Sequence, residues 1–191
     1  IWLDESNTRR KVRESSGAGK DKYGVSEESG ASGRGSTALF NRDSEGRRIS
    51  AETANRLNGT AIVDDNGNPI AVYHSTPNMD FTEFAVGDIG FHFGNQTQAL
   101  KRANKKGKGR IIGAYLNIKN PLNFGIDLTD WTASATAINL WNLDIISKND
   151  FEKIHKLSIE SGSRYNSPST NLLHKILADK GYDGIIYEND F

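Results

Sequence analysis

Residues 15–36, "SSGAGKDKYGVSEESGASGRGS", carry no apolar period of 2 or 3.6, so neither a strand face nor a helix face can be drawn on them. Residues 1–50 hold three aromatics (Trp2, Tyr23 and Phe40) against sixteen glycines and serines. Such a stretch cannot bury enough surface to offset the entropy of ordering it. It reads as a flexible, low-complexity linker over 1–48, loosely attached, and leaves the core to residues 49–191. The hydrophobic share of 36% agrees, since globular chains usually hold about 45–50%. The chain starts at Ile1 rather than Met, which fits a segment of a longer protein.

Other classes are narrowed by what the chain lacks. Lys+Arg and Asp+Glu both number 24, so long-range attraction to nucleic acid or to a membrane surface is not expected. Cysteine is absent, which excludes disulfides and thiolate zinc sites. No apolar run approaches the roughly 18 residues of a membrane span, and no signal-peptide core follows the first residues. The expectation is a soluble protein. Neither G-x-G-x-x-G nor a Walker sequence is present.

The patterned part alternates short strands and helices. Ser50 opens a short capped helix, "SAETANRL". "TAIVDDNGNPIAVYH" predicts a hairpin turning at Asn66-Gly67, with His74 at the end of its second strand. Residues 94–106 predict a helix with Ala99 and Leu100 inward and Lys101, Arg102, Lys105 and Lys106 outward. "RIIGAYLNI" (110–118) predicts a strand stopped by Asn120-Pro121. "NDFEKIHKLSIES" has apolar residues at 151, 154, 157 and 159, a helical rhythm under an Asn or Asp cap. A helix from Pro168 to Lys180, a stop at Gly181 and a strand over 184–188 complete the chain. The class is α+β without a β-α-β rhythm.

Residues 71–100 concentrate the chemistry: "AVYHSTPNMDFTEFAVGDIGFHFGNQTQAL". His74, Ser75 and Thr76 stand together, and a Gly90-Phe91-His92-Phe93-Gly94 knot follows. Taken with "AYLNIKNPL" and "GYDGIIYEN", this ordered set resembles the ADP-ribosyltransferase domain of phage polyvalent proteins, in the poly(ADP-ribose) polymerase and diphtheria-toxin branch of that superfamily. The resemblance covers about residues 58–191. It implies a split β-sheet core with flanking helices, and NAD as substrate with no metal.

Site residues carry over by motif. A His-Gly-Thr or His-Gly-Ser in the family matches His74, Ser75 and Thr76, where the histidine donates to ribose hydroxyls and the next backbone unit grips the nicotinamide amide. Gly-x-Tyr-Phe matches Gly90, Phe91, His92 and Phe93, with His92 in the tyrosine's place and Phe91 or Phe93 sharing its stacking role. A glutamate on a late strand is matched by Glu188. An Asn-x-x-Glu spacing from Asn189 would instead put that carboxylate beyond Phe191, in a domain truncated at its C-terminus.

Cleavage of the nicotinamide–ribose bond develops positive charge on the sugar, which a nearby carboxylate stabilises. The resemblance thus implies a mono-ADP-ribosyltransferase acting on a macromolecular acceptor, a host protein ahead of a nucleic acid. It further implies a phage or prophage setting, with the chain virion-associated or delivered to a bacterial cytoplasm. The alternatives are a degenerate NAD-site module that binds a partner, and a nucleic-acid-targeting toxin. The latter would use the six basic residues in 101–110, which otherwise read as a solvated helix end or a pyrophosphate contact. Phe81 and Phe84 read as bracing aromatics, and His155 and His174 as structural. Tyr182 and Tyr187 read as core, and Trp131 and Trp141 as core or a target-facing loop.

Overall fold

The structure, a computed structural model, describes residues 40–77, 80, 88–105, 109–125, 127–164 and 166–188. Phe81, Phe84 and Lys106 lie outside them. Helix α1 (Ala51–Arg56) starts as its cap predicts, with Ser50 accepting from the Thr53 N–H. The hairpin turn forms at Gly67, whose φ of 80° suits glycine. Pairing there is limited to the Val63–Pro69 bridge.

Strand β1 (Val72–Thr76) pairs instead with β2 (Arg110–Ala114), antiparallel, with His74 opposite Ile112. His74 is therefore in the middle of a strand rather than at its end, because pairing runs on to Thr76 and Arg110. On the other edge of β1, Tyr73 and Gly94 exchange backbone hydrogen bonds of 2.8 and 3.0 Å. That bridge brings the Gly-Phe-His-Phe-Gly knot beside His74.

Directly after the knot in sequence, helix α2 (Gln96–Lys105) is opened by a reciprocal cap. The Gln98 N–H donates to Asn95 Oδ1 and the Asn95 N–H to Gln98 Oε1, both at 2.9 Å. Ala99 and Ala103 face inward, but Leu100 is 44% exposed, because the inward stripe of this helix is made of alanines.

A second sheet pairs β3 (Pro121–Gly125) with β4 (Gly184–Tyr187) in parallel. Pro121, read as a strand stop, begins β3, where an edge position tolerates its missing N–H. The Gly-Tyr-Asp-Gly segment has a structural task here. Gly181 turns with φ 88°, and Asp183 accepts the Lys119 and Asn120 N–H groups at 2.7 and 2.9 Å, tying the two strand starts together.

Three helices cover this sheet: α3 (Ala133–Asn142), α4 (Lys148–Ser161) and α5 (Pro168–Asp179). Leu140, Ile154, Leu173 and Leu177 pack against Leu122, Phe124 and Ile185. Ser147, not an Asn or Asp, caps α4. Ile159 is 74% exposed, against its place in the predicted apolar rhythm. A second cluster joins Ile62, Val72, Phe91, Phe93, Leu116 and Ile118, with Ile186 against it. Consecutive side chains of β4 point to opposite faces, so Ile185 enters the helical core while Ile186 meets the β1 side.

Residues 41–48, counted with the linker on composition, are held onto this body. Asp43 is 2% exposed and accepts from the Arg47 Nε at 2.6 Å and from the Tyr115 hydroxyl at 2.7 Å.

Candidate active site

The β1 pairing and the Tyr73–Gly94 bridge bring the two fragments together. His74 Nδ1 lies 2.8 Å from the His92 carbonyl oxygen, and its ring centre is 5.6 Å from that of Phe93. A carbonyl can only accept, so Nδ1 carries the proton. Neutral His74 would then present Nε2 as an acceptor, where the resemblance implied a donor.

Beside this junction opens a cavity of about 710 Å³, within the range of roughly 300–1,000 Å³ common for small-molecule sites. Its lining includes Ser75, His92, Phe93 and Tyr187, and the apolar Ile62, Ile70 and Val72. It also includes Gln98, Lys101, Arg102 and Lys105 of α2, at the spacing of a single helix stripe. These cations are exposed, as expected, and they also line the cavity. His74, Thr76, Gly90, Phe91 and Glu188 are not among the lining residues.

Phe91 is fixed in the core at 4% exposure, so only Phe93 of the two phenylalanines has a face on the cavity. Thr76 and Gly90 are buried. Glu188 is exposed, and its N–H donates to the Gly125 carbonyl at 3.0 Å, extending the β3–β4 pairing by one bond.

His92 belongs to an aromatic cluster that no sequence motif signals. His92 Nδ1 is 2.9 Å from the Tyr187 hydroxyl. Trp131 stands 4.5 Å from the Tyr187 ring and 5.8 Å from His92, and its indole N–H donates to Asp127 at 2.8 Å. Burial pulls the His92 imidazole down to about 4, with Arg102 and His74 adding to the effect, so it is neutral near pH 7. Burial also pushes the Tyr187 phenol up to about 12, and the Asp127 carboxylate reinforces it. Trp131 and Tyr187 had read as core residues or a target loop; no local spacing signals that they meet His92 from β4 and the segment before α3. His155 and His174 are hydrogen-bonded, to Ser134 Oγ and to the Ile89 carbonyl, as structural histidines would be. Among the described residues, no group of three or more His, Asp or Glu is arranged to hold a metal ion.

Residues 64–191 match the family described as ADP-ribosyltransferase in polyvalent proteins. The chain belongs to that family. The fold is accordingly an α+β, ADP-ribosyltransferase-like one, with two small sheets and flanking helices. Members of this ADP-ribosyltransferase family use NAD as substrate and engage macromolecular acceptors. No curated protein and no solved structure matches the chain. The lining fits NAD in its chemistry, since it offers aromatic rings, cations and apolar side chains together.

Proposed function

We propose that this chain transfers single ADP-ribose units from NAD to a macromolecular acceptor, in the first instance a protein of a bacterial host, with release of nicotinamide. The observation that carries the reading is the meeting of His74 with His92 and Phe93, two residues that line a cavity also lined by Lys101, Arg102 and Lys105. Cleavage of the substrate's glycosidic bond leaves positive charge on the ribose. In this scheme His74 orients a ribose hydroxyl, and Thr76 supports the strand that carries it. The backbone of Ser75 holds the carboxamide. Gly90 and Phe91 anchor the knot, while His92 and Phe93 flank the pyridine ring. Lys101, Arg102 and Lys105 neutralise the pyrophosphate, and Glu188 supplies the carboxylate that stabilises the sugar. A virion or prophage origin, with delivery to the bacterial cytoplasm, belongs to the same proposal.

The test is incubation with labelled NAD and bacterial lysate, comparing the wild type with His74→Ala and Glu188→Gln. The expected result is label on protein and free nicotinamide from the wild type, both lost in the variants. NAD left intact and unbound would reject the reading. The exposed side chain of Glu188, away from the cavity lining, favours a second reading, a binding module with a degenerate NAD site. NAD bound tightly with no nicotinamide ever released would select it.

A further inference from the structure

His92 occupies the position where a tyrosine is expected, and a tyrosine from strand β4 reaches it. Tyr187 and His92 both line the cavity, their rings meet edge-on at 6.0 Å, and the phenol is 2.9 Å from Nδ1. Trp131 packs on both and holds them from behind. The direction of that hydrogen bond follows from the partners. The Tyr187 hydroxyl has no other acceptor among the described residues, and donation to Nδ1 is the arrangement that satisfies its proton within the protein. The neutral imidazole therefore accepts at Nδ1 and carries its own proton on Nε2.

Charge makes this arrangement matter. The pyridine ring of NAD is cationic until its bond to ribose breaks, and a cationic imidazolium stacked against it would repel it. Histidine can replace tyrosine beside that ring only as an uncharged, oriented one. Within the described residues, Nε2 of His92 has no hydrogen-bond partner, which leaves an N–H for a ligand carboxamide.

We propose that Tyr187 is a positioning residue for His92, fixing the imidazole as the Nε2–H form so that position 92 offers the cavity a neutral ring with one available donor. The ligand in this proposal rests on the NAD reading above; the pairing of the two side chains does not.

The test uses the full chain, labelled with ¹⁵N, in wild-type, Tyr187→Phe, His92→Tyr and doubly substituted forms. Wild-type His92 is expected to show an unprotonated Nδ1 and a protonated Nε2 from about pH 5 to 8. Tyr187→Phe should give a mixture of tautomers, a signature that a purely structural role would not move. In the same variant NAD affinity and nicotinamide release should fall about tenfold, the size of one lost hydrogen bond. In the His92→Tyr background the same substitution should change either quantity by less than about twofold, because no imidazole remains to be oriented. An unaltered tautomer in Tyr187→Phe, or a full tenfold loss in both backgrounds, would overturn the proposal. If the wild type neither binds nor cleaves NAD, the NAD reading fails and the tautomer spectra still decide the pairing.

Discussion

The imidazole of His74 is tethered to the main chain of His92, with Nδ1 at 2.8 Å from the carbonyl oxygen. The bond spans eighteen positions and closes the loop between the two fragments of the candidate site. Removing the ring therefore takes away the proposed ribose contact and also frees the segment that carries His92 and Phe93. His74→Ala should lower nicotinamide release by roughly 100-fold, as misplacement of about 1 Å does in other sites. His74→Asn, whose side-chain amide can still donate to that carbonyl, should retain more of the activity. A His74→Ala rate within about twofold of wild type, with the fold intact by circular dichroism, would exclude a role for this residue.

A half-buried, neutral histidine carries a stability consequence whose sign is fixed. The His92 value falls from 6.5 to about 4 on folding, so between these limits the unfolded chain binds a proton that the native one does not. Stability must then decline as pH drops through that window, by up to ~3 kcal/mol for a shift of this size. His92→Phe removes the titrating group. Urea unfolding at about pH 4.5 and 7.5 should show a smaller acid loss in the variant than in the wild type. Equal acid losses in the two proteins would mean that His92 titrates normally.

The stripe of Lys101, Arg102 and Lys105 makes a prediction separable from the one at His74. If these cations meet the pyrophosphate, Arg102→Ala with Lys105→Ala should raise KM for NAD about tenfold at low salt. The effect should shrink as salt screens the wild-type attraction, with kcat little altered. A fall in kcat at unchanged KM would place these residues elsewhere in the reaction.

Legibility followed the range of the forces involved. Helix α1 and helix α5 were readable because their start signals, Ser50 and Ser167-Pro168, act within one turn. His74 and the knot at 90–94 were readable as fragments, and the chain's own pairing joined them. Helix α3 was not readable. Its inward face is Ala133, Thr136, Ala137 and Leu140, too small and mixed to give an apolar rhythm, although Thr132 caps it locally. The partnership of His92 with Tyr187 spans ninety-five positions and depends on where β4 is laid down, beside β3 and against Phe91 and Phe93. Leu100 and Ile159 mislead in the other direction, since both sit in apolar patterns and face solvent.

The turn at 43–47 yields a prediction about the strand beneath the site. Burial alone would raise the Asp43 carboxyl, but hydrogen bonds from Tyr115 and from Arg47 outweigh it and hold the group below its ordinary value of 3.8. Arg47 also donates to the Tyr73 hydroxyl at 3.0 Å, and Tyr73 immediately precedes His74 on β1. The clasp therefore braces the strand that presents the histidine. Because the folded value is lowered, its contribution is present above the unfolded value and is lost as pH falls through the folded one. Asp43→Ala leaves the Tyr115 hydroxyl and two turn N–H groups without their acceptor, and should cost about 1–3 kcal/mol at neutral pH. The gap between wild type and variant, read by urea unfolding, should narrow as pH falls through the lowered folded value and the wild-type carboxyl takes up its own proton. A gap that stays constant across that range would show that Asp43 stabilises the turn by shape and not by charge.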